Sequence, residues 1–221
     1  ERITFGGDLM LRRFLLGILV VSLASMAWAG VPDLVLSQAE IPAGADGALV
    51  FSTPNAQGEA FTAAFAPGGA VVDATISVTL IDTNGDPIFL YPFEDLWLET
   101  SLGSLSYCSG GTVADQSTDE MGMTTFSNPI AGGSYTDPAS EMTMVMVAGA
   151  PISGGGVDVQ FNSPDISGDL TVNLTDIVFF TDMLGGDFTD NPLFAGDFNY
   201  DGQINLSDIV RFTPGIGAAC P

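Results

Sequence analysis

The chain is 221 residues long, enough for one large or two small domains, and carries 27 acidic residues against four Arg, with no Lys and no His, for a net charge of −23. A chain this short of cations cannot neutralise phosphates, which excludes nucleic acid as a partner and argues against anionic membrane surfaces. Without His or Lys the usual general base, the Schiff-base lysine and the Ser-His-Asp triad are all missing, so the expectation is a protein that is not an enzyme.

Residues 1–9 read as sequence upstream of a start at Met10, and residues 10–29 as a secretory signal peptide. Arg12 and Arg13 form a positive n-region, Phe14 to Met26 are almost wholly apolar, and Ala27-Trp28-Ala29 is a small-x-small cleavage site. The apolar run is short for a membrane span. Cleavage would leave a secreted protein, extracellular or at the cell surface, with no membrane insertion. Taking away Glu1, Asp8, Arg2, Arg12 and Arg13 leaves 25 acids and Arg211, a net charge of 1 − 25 = −24. That charge suits a protein that collects divalent cations outside the cell; simple solubility charge is the alternative. Two cysteines remain, Cys108 and Cys220. In an oxidising compartment they could pair with each other, or stay free or pair between molecules.

Residues 30–162 are rich in Gly, Thr, Ser, Ala and Val, with alternation of period two. Ala74, Ile76, Val78 and Leu80 are expected to face a core, with Thr75, Ser77 and Thr79 facing water. Asp82-Thr-Asn-Gly-Asp-Pro87 then makes a turn with Asn-Gly at its centre. A second strand is expected over Glu141–Val147, with Met142, Met144 and Met146 on one face as core filler. A last one places Val157, Val159 and Phe161 inward, alternating with Asp158 and Gln160. Shorter strands are expected over Asp33–Leu36, Ala48–Ser52, Phe61–Phe65, Ile88–Tyr91, Leu96–Glu99, Leu105–Cys108 and Thr124–Phe126. Many short strands with Gly, Pro and Asn punctuation predict a sandwich or barrel. Ile76 to Ile88, a strand running into an Asn-Gly-Asp-Pro turn, is similar to the opening of bacterial immunoglobulin-like domains of the invasin type. Ser117-Thr-Asp-Glu-Met-Gly-Met-Thr-Thr125 resembles that family's following turn and strand. The resemblance implies an Ig-like β-sandwich used in adhesion or as a spacer.

Glu94, Asp95 and Glu99 stand beside Trp97, and Asp115, Asp119 and Glu120 lie in the next loop, but paired-carboxylate glycoside hydrolysis also needs a cleft. Trp97, Tyr91 and Tyr107 form a candidate sugar-stacking surface, so a glycan is a possible partner.

The strongest signal lies at 163–221. Asp197, Asn199, Asp201, Asn205 and Asp208 occupy positions 1, 3, 5, 9 and 12 of a twelve-residue loop, with Gly202 at position 6. Asp165, Ser167, Asp169, Asn173 and Asp176 repeat the pattern 32 residues earlier. Thr171 and Gln203, at position 7, would add backbone carbonyls. An all-oxygen set at this spacing suits a hard cation, and Ca2+ takes six to eight such ligands at about 2.3–2.6 Å. An apolar helix follows each loop, and a fixed-offset repeat is stronger than either copy alone. Val172 and Ile204 would pair between the loops. Ile177, Phe180 and Leu184 would pack on Ile209, Val210 and Phe212. Loop one has Leu170 where Gly is expected and Ser167 as a poorer ligand, so two Ca2+ sites are expected with the second tighter.

Paired loop-helix motifs with Asn at position 9, Thr or Ser at 11 and Asp at 12 resemble a dockerin module with EF-hand-like calcium loops. The resemblance implies a calcium-dependent protein partner, a cohesin-like domain, in surface assemblies that include polysaccharide-degrading ones. Leu174-Thr175 and Leu206-Ser207 stand where such modules often carry basic recognition residues. The expected architecture is therefore mainly β, a sandwich over 30–162 followed by a small α-helical module over 163–221. The alternative is an adhesin or filament subunit, self-associating, with the calcium module packed intramolecularly.

Overall fold

The computed structural model describes residues 30–154 and 156–221; the signal peptide reading lies outside them. The fold is mainly β. Strands β1 (Gln38–Glu40), β5 (Ile76–Thr79) and β8 (Met123–Phe126) form one antiparallel sheet in the order β1-β5-β8. A second sheet runs β11-β10-β6, from β6 (Leu96–Thr100), β10 (Thr143–Val147) and β11 (Ala150–Pro151). The third is β12-β2-β3-β4, from β2 (Ala48–Phe51), β3 (Ala64–Phe65), β4 (Val71–Val72) and β12 (Val159–Asn162). A two-stranded ribbon joins β7 (Ser106–Tyr107) to β9 (Gly132–Gly133). Helices α1 (Leu174–Leu184), α2 (Leu193–Gly196) and α3 (Leu206–Phe212) follow. No helix among the described residues is long and apolar enough to cross a membrane.

The alternation around Ile76 behaves as expected: Ile76 and Val78 are buried and Ser77 and Thr79 half-buried. On β10 the expectation fails. Thr143, Val145 and Val147 face the core, and Met144 and Met146 lie half-buried on the other side. β-Branched residues suit the inward face of a pleated strand better than flexible Met. Asp33–Leu36 is a turn, with Asp33 Oδ1 accepting from Val35 N at 2.8 Å. Phe61–Ala63 is a 3-10 turn, and no strand forms at Ile88–Tyr91.

The third sheet explains how the two halves of the chain are joined. All four residues of β2 are buried, and so are all four of β12, which pairs with it in parallel. A strand covered on both faces has no solvent side, which is the usual situation for parallel pairs. Ala48, Val50, Val159 and Phe161 enter the main β core with Ile76, Leu96 and Leu98. On the opposite face Phe51 joins Phe180, Phe198 and Phe212 in a second core. Leu49 meets Phe65 and Phe194 beside it. Gln160, expected to face water, is buried and donates to Glu141 O at 3.2 Å. Asn162 Nδ2 donates to Phe194 O and Asp197 O at 3.1 and 2.9 Å. Residues 163–221 are thus packed onto a sheet face.

Arg211 closes this seam. Its guanidinium donates to Glu59 Oε1 at 2.8 Å and stands 4.4 Å over the Phe65 ring. The ion pair is partly exposed and contributes up to about 1 kcal/mol, and the cation–π contact of the same guanidinium adds about 1 kcal/mol. Arg211→Ala should therefore cost about 2 kcal/mol in denaturant unfolding and Glu59→Gln less than half of that.

Candidate metal centre

Each loop is built by its first aspartate. Asp165 accepts from Leu170 N at 2.8 Å and from Asp169 N at 3.2 Å. Asp197 accepts from Gly202 N at 2.8 Å and from Asp201 N at 3.1 Å. These bonds wrap the chain around the carboxylate. Position 6 must then take a left-handed backbone, φ 86° at Gly202 and φ 65° at Leu170. A side chain there costs roughly 1–2 kcal/mol, against about 0.5–1 kcal/mol of extra chain entropy for glycine. Leu170→Gly should stabilise the protein by about 0.5–1 kcal/mol, read from denaturant midpoints.

Positions 9 and 12 do more than supply oxygens. Asn173 and Asn205 are the N-caps of α1 and α3, accepting from Thr175 N at 2.8 Å and Ser207 N at 2.9 Å. Asp176 and Asp208 accept in return from Asn173 N at 2.8 Å and Asn205 N at 2.9 Å. Each loop therefore ends in a capping box, and the carboxylate at position 12 is fixed by the helix it starts. The Asn-x-x-Asp spacing carried this signal. The Asn oxygens at position 9, expected as ligands, are turned to the helix N-termini.

Asp165, Asp169 and Asp176 each bring a carboxylate oxygen within 4.8 Å of the others. The equivalent Asp197, Asp201 and Asp208 do not reach that spacing. The loop expected to be weaker is thus the more closely gathered one. Ser167 Oγ donates to Asp165 Oδ1 at 3.2 Å. Asn199 Nδ2 donates to Asp201 Oδ2 at 2.9 Å. Thr171 O accepts from Asn173 Nδ2 at 3.0 Å, and Gln203 is exposed at the loop rim, its N–H bonded to Asp201 Oδ1 at 3.0 Å.

Asp165, Asp176, Asp197 and Asp208 are buried, and no basic group pairs with them; among the described residues the single ion pair is Arg211 with Glu59. Burial pushes the Asp197 carboxyl up to about 6, against hydrogen bonds from Gly202 and Asp201 that lower it. Burial likewise raises Asp165 and Asp208, with neighbouring carboxylates adding to the effect. Several buried carboxylates held close together by backbone N–H groups, with no cation among them, are costly unless a metal ion compensates their charge. A cluster of hard oxygens suits Ca2+.

The β body braces both loops, which nothing in the sequence pattern showed. Ser134 N donates to Asp165 O at 2.6 Å. A Cβ on Gly133 would coincide with Asp165 Oδ2. Gly68 N donates to Tyr200 O at 2.9 Å, and a Cβ on Gly69 would come within 3.3 Å of Asn199 O. Between the loops, Val172 and Ile204 both enter the second core, but Val172 makes its backbone pairing elsewhere. Its N–H donates to Ala218 O at 2.8 Å, and its carbonyl accepts from Gly217 N at 2.9 Å. The C-terminal tail has taken the place of the second loop.

Phe180 and Phe212, equivalent in the repeat, stack at 4.6 Å with 7° between their planes. Met183 fills the position expected for Leu184, which is exposed. Val210 is also exposed, not packed. With Leu174 (72% exposed), Val178 (49%) and Leu206 (71%), Val210 (64%) completes two Leu–Val pairs, one per helix, turned to solvent.

No family model and no curated protein matches the chain. Among solved structures it is similar to the filamin domain of Lin-41, at 16% identity and a TM-score of 0.29, over 58% of this chain and 95% of that one. A likeness that low carries no argument.

Proposed function

We propose that this is a secreted, non-catalytic calcium-binding protein, with an Ig-like β body and a dockerin-like module that folds around two Ca2+ ions and docks a protein partner. The observation that carries the reading is the set of four buried aspartates without a cationic partner. Calcium neutralises them, and its binding energy becomes folding energy. The twin Leu–Val pairs supply an apolar face of the kind a partner covers, and Arg211, the only basic residue near it, is turned back onto Glu59. Partner recognition would then be apolar rather than ionic.

A second reading, an adhesin or filament subunit built from like copies, is favoured by the packing of the module onto Phe51 and the bracing of its loops by Gly133 and Gly69. Calcium titration of the chain from Gly30 by calorimetry, with sedimentation alongside, separates the two. Two binding events in a monomer support docking to another protein, and calcium-driven assembly supports the subunit. No binding at millimolar calcium sinks both.

A further inference from the structure

We propose that Trp97, Glu99 and Tyr107 form a binding site for an uncharged pyranose ring of a polysaccharide. Alternation along β6 sends Leu96, Leu98 and Thr100 into the core and leaves Trp97 and Glu99 together on the other face. The Trp97 indole N–H donates to Glu99 Oε1 at 2.8 Å, and the Tyr107 hydroxyl donates to the same oxygen at 3.0 Å. One carboxylate oxygen thus holds the polar edges of both aromatic side chains. Their ordering is complete before a ligand arrives, which reduces the entropy lost on binding. Register places Met146 opposite Trp97 and Met144 opposite Glu99 on the same face, an apolar, polarizable flank for the indole. Tyr107 precedes Cys108, which is fixed by its disulfide to Cys220. Tyr91, the third aromatic residue expected here, is buried in the core and takes no part.

A groove of about 250 Å3 opens at these residues, also lined by Glu94, Ser109 and the buried Thr112. That is below the roughly 300–1,000 Å3 of drug-sized pockets and suits one sugar ring. Two carboxylates and no cation at the groove reject anionic ligands. A pyranose matches what remains: its C–H face can lie on the indole, and a hydroxyl can donate to Glu99 Oε2, which accepts no hydrogen bond from the described residues.

The chain from Gly30 onward contains Trp97 as its only tryptophan, the other being Trp28. Its fluorescence therefore reports the site directly. Hexaoses of glucose, xylose and N-acetylglucosamine, with glucosamine hexaose as the cationic comparison, are titrated in turn, in calcium, and at least one of the three uncharged sugars gives a saturable change in Trp97 emission. Tyr107→Phe weakens that binding about 3- to 10-fold through the lost hydrogen bond. Trp97→Ala, followed by calorimetry, weakens it at least about 10-fold. Tyr107→Phe leaves the ring in place and decides the matter should Trp97→Ala fail to fold. The proposal is overturned by the absence of a saturable change with all three sugars, by undiminished binding in both variants, or by a preference for the cationic glucosamine hexaose, which would make this a site for amines.

Discussion

Adding chelator at pH 7 should lower the melting temperature by about 10–20 °C relative to millimolar calcium. Two sites each filled at roughly 100 times their Kd contribute about 5 kcal/mol in total, and 1 kcal/mol moves a chain of this size by about 2–4 °C. The metal-free protein should also show a pH dependence of opposite sign to ordinary acid denaturation. Asp197 holds its proton more tightly in the metal-free fold, where its pKa is about 6, than in the unfolded chain, where it has the ordinary value of 3.8. Its contribution is fully present below 3.8 and is lost as pH rises through about 6. Asp165 and Asp208 shift in the same direction. Asp73, Asp82, Asp137 and Asp187 shift the other way, held down by hydrogen bonds from Thr75, Asp86, Ser140 and Thr189, and so does Glu141, whose burial is outweighed by hydrogen bonds from Thr100 and Ser104; what they add as pH rises is complete at the acid end of the window, before Asp197 ionises. In chelator, melts should therefore show stability falling between about pH 4 and pH 7. Calcium needs the deprotonated carboxylates, so its stabilising increment should grow over the same interval. Asp197→Asn separates the two effects. It keeps one of the two backbone hydrogen bonds and sets its NH2 against the other N–H, so it should flatten the fall in metal-free stability between about pH 4 and pH 7 and remove one calcium-binding event. A variant whose stability in chelator falls with pH as steeply as that of the parent would refute the view that Asp197 is a buried charge awaiting a cation.

How much of this was legible in the sequence follows from the range of the interactions involved. The loops were legible because their geometry is local: Asp165 and Asp197 bond to backbone four and five residues ahead, and the Asn-x-x-Asp capping boxes span three. Spacing alone encodes such contacts. The strand around Ile76 was legible because one of its faces is solvated, which makes hydrophobicity alternate. Alternation misled where the outer face is covered by another part of the chain. Gln160 reads as a solvent-facing residue in β12, yet it is buried and donates to Glu141 O across the β body. Gly133 carries no signal in the sequence and is the space into which Asp165 fits. Both depend on partners more than 15 residues away, for which no periodicity exists. Val172 reads as the partner of Ile204 because the repeat is symmetric. The symmetry is broken by the tail, which has no counterpart in loop one.

That broken symmetry gives the other large effect. Cys108 and Cys220 are bonded, closing a span of 112 residues. In the chain-entropy model such a closure contributes about 4–5 kcal/mol, so Cys220→Ser, or reduction, should lower the melting temperature by about 10–20 °C. The position of the tail makes the consequence for calcium selective. Gly217 and Ala218 pair with Val172, Cys220 N donates to Leu170 O at 3.4 Å, and Ala218 enters the second core. These contacts hold positions 6 to 8 of loop one, where Leu170 keeps its unfavourable backbone. Loop two has no contact of this kind with the tail and is braced by Gly68 and Gly69 instead. Cutting the disulfide should therefore weaken the first calcium site about tenfold and leave the second near its original affinity, as resolved by two-site calorimetry below the melting range. Equal weakening of both sites would mean that the bond acts only on the unfolded chain. Weakening of the first alone would show that an oxidised tail is part of the metal site, and that calcium loading of loop one depends on the compartment in which the protein folds.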